Sequence, residues 1–248
     1  MERCPSGLRC RPGTSVWGIT PPRVRIPSSP FFSFFFLNLW FNIYLISFCE
    51  RVYMKNSDII FKQSTAPETI EIVANARRLT KEYYFTDYKD TQKRNSILKS
   101  LFGSIGENVV IDSLFHCNYG KNIYIGNDVI ININCTFIDD AEIYIGSKVL
   151  IASNVQVYTA YHPVLPEERF NENFKEKGFE FFNTLAKPVY IDDGDWLGGG
   201  VIVLPGVKIG KNSVIGAGSV VNRSIPDNCV AVGNPCKPIK FFEDMRKR

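Results

Sequence analysis

Several features that mark common classes of protein are missing from this sequence. Histidine occurs only twice in 248 residues, at His116 and His162, so a zinc site made of three histidines is excluded. The seven cysteines are odd in number and form no CxxC pair, which favours buried or incidental thiols in a reducing, cytoplasmic compartment over a disulfide framework. The formal net charge is only +4, and the basic residues are scattered, which argues against nucleic-acid binding.

The first 53 residues differ in composition from the rest of the chain. Residues 1–30 are rich in Arg, Pro and Gly, whereas residues 31–49 are almost all aromatic or aliphatic and are about as long as a membrane span. One interpretation is a signal anchor, because arginines precede the apolar run. The alternative is translated noncoding DNA, since residues 1–30 resemble a translated transfer-RNA gene, with Met54 as the true start. Neither segment is patterned to pack against the rest of the chain, so we place the catalytic part after residue 53.

Residues 54–103 are predicted to form a helical cap. Ile70, Val73 and Arg77 are spaced for a helix with one apolar side. The segment TQKRNSILKSLFG predicts a second, shorter helix that ends at Gly103. Both helices are interpreted as packing elements.

Aliphatic residues recur every six positions over much of the remaining chain. Six stand in unbroken register, namely Ile191, Leu197, Val203, Ile209, Ile215 and Val221. The same rule holds earlier, with a two-residue slip between two sets: Ile125, Ile131 and Phe137, then Ile145, Ile151 and Val157. A second aliphatic often follows four residues after the first, at Val201, Val207 and, one place late, Val214. Helices repeat near 3.6 residues and strands at two, so neither explains this period.

A period of six is typical of a left-handed parallel β-helix, in which three hexads close one triangular coil and the coils stack. The leading aliphatic points inward, while small residues, Asn and Asp suit corners that need positive φ. We therefore predict a mainly β fold, with this β-helix over residues 104–235 and a basic tail over residues 236–248. A sandwich of ordinary strands would alternate at period two and vary in strand length, which the strict register does not fit.

The register breaks after Val157 and resumes at Ile191. The charged segment between them predicts a loop over residues 158–190 that projects from one coil. Loops of this length in compact domains are usually functional or disordered. His162 lies at the point where the loop leaves the regular scaffold, a common place for functional residues, so it is the candidate general base. His116 is interpreted as structural.

Four stretches of the chain resemble a known family. They are FHCNYGKNIYIGNDVIININCTFIDD, YTAYHP, DWLGGGVIVLPGVKIGKNSVIGAGSVV and AVGNPCKPI. The chain resembles the maltose and galactoside O-acetyltransferases, a family of hexapeptide-repeat enzymes, over roughly residues 68–239. The resemblance implies acetyl-CoA as co-substrate, a sugar hydroxyl as acceptor, no metal, and a homotrimer with each active site between neighbouring subunits.

The resemblance also implies a role for individual residues. His162 falls on the catalytic base, and the acceptor site falls on Asn118, Asn132 and Asp140. Seven residues match the family's coenzyme site. Trp196 matches the aromatic residue along the pantetheine arm, and Gly199 matches the residue whose backbone N–H faces the thioester oxygen. Ala217, Asn222 and Arg223 match positions along the coenzyme groove, and Lys237 and Lys240 match basic residues that meet the phosphates. Neutral imidazole can accept a hydroxyl proton near neutral pH, and a fixed backbone N–H can stabilise an oxyanion, so these residue types suit the chemistry. Without the resemblance, most of them are more simply explained as corner, surface or tail residues.

The chain departs from the family in two places. The family's loop glutamate, which helps to orient the histidine, is matched best by Glu180, although the loop is longer here and its spacing differs. The family's acidic acceptor ligand in the cap is replaced by Gln63 in FKQSTAPE. A surface-polysaccharide or nodulation-type sugar is therefore an equal alternative to maltose or a galactoside. An acyltransferase for a non-sugar acceptor and a non-catalytic β-helical binding protein are the remaining alternatives.

Overall fold

The computed structural model describes residues 60–62, 67–172 and 181–247. The predicted N-terminal extension, residues 1–53, with its apolar run at residues 31–49, lies outside the described residues. Within the described part, no helix is both long and apolar enough to cross a membrane. These residues form a pair of helices, a triangular prism of short parallel strands, and an arm that leaves the prism between its third and fourth coils.

Two helices, α1 (Pro67–Phe85) and α2 (Thr91–Leu101), precede the prism, as the sequence predicted. They dock on the first coil through two buried residues, Tyr83 and Arg94. The Arg94 guanidinium group donates to the Tyr83 hydroxyl oxygen at 2.6 Å and to the Ile111 carbonyl oxygen at 3.0 Å. A buried cation is costly unless its donors are satisfied, so these bonds tie the cap to the prism in one arrangement.

The strands are short and follow one another around three faces. In chain order they are β1 (Ile60–Lys62), β2 (Ser104–Ile105), β3 (Val110–Ile111), β4 (His116–Cys117), β5 (Ile123–Ile125), β6 (Ile130–Ile131), β7 (Thr136–Ile138), β8 (Ile143–Ile145), β9 (Leu150–Ile151), β10 (Gln156–Tyr158), β11 (Ala160–Tyr161), β12 (Thr184–Ala186), β13 (Val189–Ile191), β14 (Trp196–Leu197), β15 (Ile202–Val203), β16 (Lys208–Ile209), β17 (Val214–Ile215), β18 (Val220–Val221), β19 (Cys229–Val232) and β20 (Lys237–Phe241).

Parallel pairing between successive coils groups these strands into the faces of the prism. Face A contains β2, β5, β8, β13 and β16. Face B contains β3, β6, β9, β14, β17 and β19, and face C contains β4, β7, β10, β15 and β18. Five coils are complete, and a sixth begins on face A, where Ile225 pairs with Ile209, and continues into β19.

The interior of the prism is filled by the hexad residues. All twelve leading positions predicted from the sequence are at most 4% exposed. They are Ile125, Ile131, Phe137, Ile145, Ile151, Val157, Ile191, Leu197, Val203, Ile209, Ile215 and Val221. Burial of one such side chain stabilises a fold by about 1.5–3 kcal/mol, so this column is the main apolar core. The predicted β-helix is confirmed.

The corners turn on residues with positive φ. Among the described residues, six of the eight non-glycine residues with positive φ are Asn or Asp, whose short polar side chains tolerate this conformation. The corners stack into three edges, which we name AB, BC and CA after the faces they join in chain direction. Residues on the BC edge precede the strands of face C, and residues on the CA edge follow them.

The arm leaves the CA edge after β10, in the segment predicted as a projecting loop. It contains β11, a single helical turn α3 (Pro166–Arg169) and β12, and β12 pairs antiparallel with both β11 and β1. Residues 173–180 of the arm lie outside the described residues. At the other end, β20 pairs antiparallel with β19 and leads into α4 (Phe242–Arg246), so much of the segment predicted as a basic tail extends face B.

Candidate active site

A cleft of about 430 Å³ opens at the CA edge, where α1, the first three coils and the arm meet. Its polar lining includes Asn118, Asp140, His162 and Thr184. Its apolar lining is formed by Ile70, Val73, Ile138, Ala160 and Phe182. Convergent polar groups beside an apolar wall are typical of a site for a small molecule.

Three of the predicted site residues reach this cleft because each lies just beyond the end of a face C strand, at the CA edge. The coils repeat every 20 residues here, so each of the three lies two positions farther beyond its strand than the one before. Asn118 follows β4, Asp140 follows β7, and His162 follows β10 and β11, so neighbours in this series are 22 residues apart. The strands of face C stack in register, with Phe137 beside Val157. The residues just beyond the ends of these strands are therefore neighbours along the CA edge.

The ring of His162 is oriented by the arm. Its Nδ1 lies 2.8 Å from the carbonyl oxygen of Asn183, so Nδ1 carries the proton that it donates, and in the neutral ring the lone pair is on Nε2. The Phe182 ring meets the imidazole edge-on, with the ring centroids 5.5 Å apart. His162 is exposed and lines the cleft. This tautomer gives the cleft one basic nitrogen.

Asn183 is itself fixed within the arm. Its backbone N–H donates to the Arg169 carbonyl at 2.8 Å, and its Nδ2 donates to the Glu168 carbonyl at 2.7 Å. Its Oδ1 accepts a hydrogen bond from Nδ2 of Asn171 at 2.9 Å. Because backbone and side chain are both engaged, the carbonyl that holds His162 has a set direction.

The sequence predicted that a loop glutamate, Glu180, helps to orient the histidine. Glu180, the predicted orienting glutamate, lies outside the described residues, as does Gln63 of the cap. The position beside Nδ1 of His162 is taken by the main-chain carbonyl of Asn183. His116, interpreted as structural, is exposed on β4 and is not part of the cleft lining.

A buried carboxyl group that sequence reasoning missed lies behind the lining of the cleft. Asp139 is fully buried, and its Oδ1 accepts hydrogen bonds from the backbone N–H groups of Asn118 and Tyr119, both at 2.9 Å. Burial raises the pKa of Asp139 to about 6, against the opposing effect of these hydrogen bonds. Its neighbour Asp140 accepts a hydrogen bond from Nδ2 of Asn118 at 2.9 Å. The strand alternation could have identified Asp139, because it stands two residues after the inward-facing Phe137.

A second group of predicted site residues lies on or beside the BC edge. Asn132 is exposed at a corner, where its Oδ1 accepts a hydrogen bond from Ser153 Oγ at 3.0 Å. Trp196 projects from β14 on face B with 52% of its surface exposed. Neither residue lines the cleft that contains His162.

The glycine run at residues 198–200 forms another part of the BC edge. A Cβ atom on Gly198 would come within 2.6 Å of the backbone nitrogen of Ala217, so glycine lets two successive corners approach closely. At Gly199, by contrast, a Cβ atom would meet only the Ser153 carbonyl oxygen, at 3.5 Å. The backbone at Gly199 is therefore open to a ligand.

The remaining predicted coenzyme residues are divided between two places. Asn222 and Arg223 follow β18 on the CA edge, in the coil farthest from Asn118. The side-chain oxygen of Asn222 is buried and has no hydrogen-bond partner among the described residues. Lys237 and Lys240 lie on β20, at the end of face B.

Within one chain the two edges do not meet. Asn132 and Gly199 precede the strands of face C, whereas Asp140 and His162 follow them. The chain between a BC corner and the next CA corner covers about five residues, or roughly 16 Å of extended strand. One chain therefore carries the candidate base and the residues predicted to meet the thioester on opposite sides of face C.

Comparisons with known proteins agree with this architecture. A family model described as bacterial transferase hexapeptide (six repeats) matches residues 188–223, and one described as maltose acetyltransferase hexapeptide capping motif matches residues 61–106. The galactoside O-acetyltransferase of Lactococcus lactis is 40% identical over 196 residues, which are 79% of this chain and 86% of that protein.

Two solved structures of acetyltransferases are also similar to this chain. A maltose O-acetyltransferase from Clostridium difficile 630 has a TM-score of 0.65 and 39% identity, covering 73% of this chain and 91% of that one. A galactoside acetyltransferase in complex with coenzyme A has a TM-score of 0.67 and 33% identity, covering 76% of this chain and 89% of that one.

The stacked hexapeptide coils, together with the matching repeat model, define the class as hexapeptide-repeat acyltransferases. The identities of 40% and 39% extend over most of this chain and of the relatives. Within this class, the chain therefore belongs to the family of the maltose and galactoside O-acetyltransferases. The resemblance seen in the sequence is confirmed.

Proposed function

We propose that this protein transfers an acetyl group from acetyl-CoA to a hydroxyl group of a sugar, with His162 as the general base. The observation that carries the proposal is the hydrogen bond from Nδ1 of His162 to the Asn183 carbonyl, which leaves the Nε2 lone pair of the neutral ring to act as the base in the cleft. Two relatives support the substrates: one is named a galactoside O-acetyltransferase, and another galactoside acetyltransferase is in complex with coenzyme A.

The proposed reaction is a direct transfer within a ternary complex. The acceptor oxygen attacks the thioester carbon as its proton passes to Nε2 of His162. The new C–O bond forms, the C–S bond breaks, and the imidazolium returns the proton to the leaving thiolate of coenzyme A. The backbone N–H of Gly199 stabilises the oxyanion formed during the attack, an effect of about 3 kcal/mol in comparable enzymes.

The lining of the cleft supports a sugar as the acceptor. Asn118 and Asp140 supply a carboxamide and a carboxylate on the floor, while Ile70 and Val73 of α1 supply an apolar wall. A pyranose ring has a rim of hydroxyl groups and a face of C–H groups, so it can use both surfaces at once.

We propose further that the protein is a homotrimer with active sites between neighbouring copies. His162 and Gly199 lie at opposite ends of the strands of face C, so they can act together only if the CA edge of one copy meets the BC edge of another. A contact between two different surfaces is heterologous, and it forms a closed ring when the rotation between copies closes. Three copies complete the ring that the family resemblance implies.

An exposed apolar ladder supports this contact. On the outer surface of face B, four side chains stand side by side in register and are 46–52% exposed: Val110, Ile130, Leu150 and Trp196. Contiguous exposed apolar surface is typical of interaction sites. We propose that the neighbouring copy covers part of this ladder and that the pantetheine arm of the coenzyme lies along Trp196.

The facing edges would form a groove for the coenzyme that leads toward the end of the prism. Ala217 lies on one edge and Asn222 on the other, both in the fifth coil. Coenzyme A carries several negative charges, for which Arg223, Lys237 and Lys240 are the proposed partners. We also expect the protein to act in the cytoplasm, because the four cysteines of the described residues are free and buried.

Release of the free thiol of coenzyme A, measured with acetyl-CoA and a panel of sugars, tests the proposed function. The His162→Ala variant should lose about 100-fold or more in kcat/KM. The matched control is His116→Ala, which removes the other histidine of the chain from outside the cleft and should leave turnover unchanged. Wild-type turnover by His162→Ala would refute the role of the base.

Two other outcomes would change the assignment. Thiol release with an amino acid or an antibiotic, but with no sugar, would show that the acceptor class is wrong. Calorimetry that detects no binding of coenzyme A would instead favour a non-catalytic binding protein.

A further inference from the structure

Arg77 reaches from the cap helix α1 to the floor of the cleft. One terminal nitrogen, Nη1, donates to the carbonyl oxygen of Cys117, and the other, Nη2, lies 3.2 Å from Oδ1 of Asn118. The sequence indicated only that Arg77 lies on a helix. The structure adds that it is bonded to a residue of the cleft lining.

The carboxamide of Asn118 is consequently held at both ends. Its Oδ1 accepts from the Arg77 guanidinium group, and its Nδ2 donates to Oδ2 of Asp140 at 2.9 Å. The backbone N–H of Asn118 is fixed separately by Asp139, at 2.9 Å. A turn of the carboxamide by 180° would set Nδ2 against a cation and Oδ1 against a carboxylate, so only one orientation is favourable.

This orientation determines what the floor of the cleft offers to a ligand. Nδ2 of Asn118 has a second N–H beyond the one that it gives to Asp140, and Asp140 has a second carboxylate oxygen. A donor and an acceptor placed side by side match two adjacent hydroxyl groups of a sugar. Without Arg77 only the bond to Asp140 would hold the carboxamide, and its oxygen would no longer be fixed, so the direction of the free N–H would be less well defined.

We propose that Arg77 is a positioning residue for the acceptor, which it serves by fixing the orientation of the Asn118 carboxamide. Arg77 acts through Asn118 and does not touch the reacting atoms. The inference rests on the proposed function, because it concerns the acceptor of that reaction. It predicts a change in acceptor binding without a change in coenzyme binding, since the proposed coenzyme residues lie in the fourth and fifth coils and on β20.

Steady-state kinetics of two variants test the inference. Arg77→Ala should raise the acceptor KM about tenfold or more, while the acetyl-CoA KM stays at the wild-type value and kcat changes much less. Arg77→Lys keeps a positively charged donor and should recover part of the loss. The matched control is Arg78→Ala, an exposed arginine of the same helix whose partners among the described residues are Glu82 and Asn75, at 3.3 and 2.9 Å. It should leave every kinetic constant unchanged.

A double-mutant cycle separates positioning from a purely structural role. The bond from Arg77 to the Cys117 carbonyl also ties α1 to the prism, so a lower Tm in Arg77→Ala is expected and is not the test. In an Asn118→Ala background, Arg77→Ala should raise the acceptor KM no further, because no carboxamide remains to be oriented. If Arg77→Ala fails to fold, the same cycle is run with Arg77→Lys.

Two outcomes would overturn the inference alone. One is a wild-type acceptor KM in a folded Arg77→Ala variant, and the other is an equal effect of this substitution with and without the Asn118 carboxamide. A wild-type enzyme that acetylates no acceptor would overturn the proposed function itself, and the inference with it.

Discussion

Replacement of Asp195 by asparagine should stabilise the protein at alkaline pH and remove part of the pH dependence of its stability. Asp195 is 1% exposed on the AB edge, where its Oδ1 accepts a hydrogen bond from the Ser213 N–H at 2.8 Å. Its Oδ2 has no partner among the described residues. Burial, with a smaller effect from the charges of Asp192 and Asp227, raises the pKa of this carboxyl group to about 8.

The size of the effect follows from the linkage between protonation and folding. Between roughly pH 4 and pH 8, Asp195 is protonated in the native protein and ionised in the unfolded chain, so the native state binds the extra proton and loses stability as the pH rises. The difference between the ordinary pKa of 3.8 and a value of about 8 corresponds to roughly 6 kcal/mol. Asp195→Asn keeps an acceptor for Ser213 and has no charge to bury, so it should escape this loss.

Urea unfolding of both proteins from about pH 5 to about pH 9, at one fixed protein concentration, measures the difference. We expect the free energy of unfolding of Asp195→Asn to exceed that of the wild type by an amount that grows with pH and levels off above about pH 8. Asp139, whose pKa burial raises to about 6, is present in both proteins and cancels in the difference. Parallel curves for the two proteins would refute the reasoning.

Three further predictions concern the core, a corner and the coenzyme. Phe137→Ala should lower the free energy of unfolding by about 3–5 kcal/mol, because Phe137 is fully buried and packs edge-on against Phe115; a loss under about 1 kcal/mol in urea unfolding would contradict this. Leu114→Asn should raise the Tm by a few degrees, because Leu114 has a φ of 64° at a corner, a conformation that costs most residues about 1 kcal/mol and asparagine less; an unchanged or lower Tm would contradict it. Trp196→Ala should raise the acetyl-CoA KM about tenfold and leave the acceptor KM unchanged, as steady-state kinetics would show; a change confined to the acceptor KM would place Trp196 elsewhere.

The core could be predicted because the interior of a β-helix accepts one bulky residue in every hexad. Val214 shows the limit of that rule. It was counted as a second aliphatic of the hexad, yet it is only half-buried on β17, and Ser213 is the buried residue instead. Ser213 is tolerated there because its hydroxyl group donates to the Pro226 carbonyl at 2.8 Å. A hydrophobic pattern does not anticipate a polar residue whose partner is a main-chain oxygen.

The candidate site could be predicted only where a side chain has a recurring place in the coil. Asn118, Asp140 and His162 each lie just beyond a face C strand, so the repeat places them at one edge, and the family resemblance singles them out among the residues of that edge. The partner of His162 is a carbonyl of Asn183, and any residue type has a carbonyl, so composition and spacing carry no information about it. The hydrogen bond from Arg77 to Asn118 depends on how α1 docks on the prism, and no local sequence pattern specifies that docking.

A mixture of two variants, each impaired on a different edge, tests the central claim, that each active site is built from facing edges of two copies. His162→Ala removes the base from the CA edge, and the double variant Asn132→Ala/Trp196→Ala removes the proposed acceptor and coenzyme contacts beside the BC edge. In randomly mixed trimers, about one quarter of the sites would join two intact edges. We predict that coexpression restores acetyl transfer to roughly that fraction of the wild-type rate. If mixed assemblies that contain both chains have no activity, the site is not shared between copies and the account is contradicted.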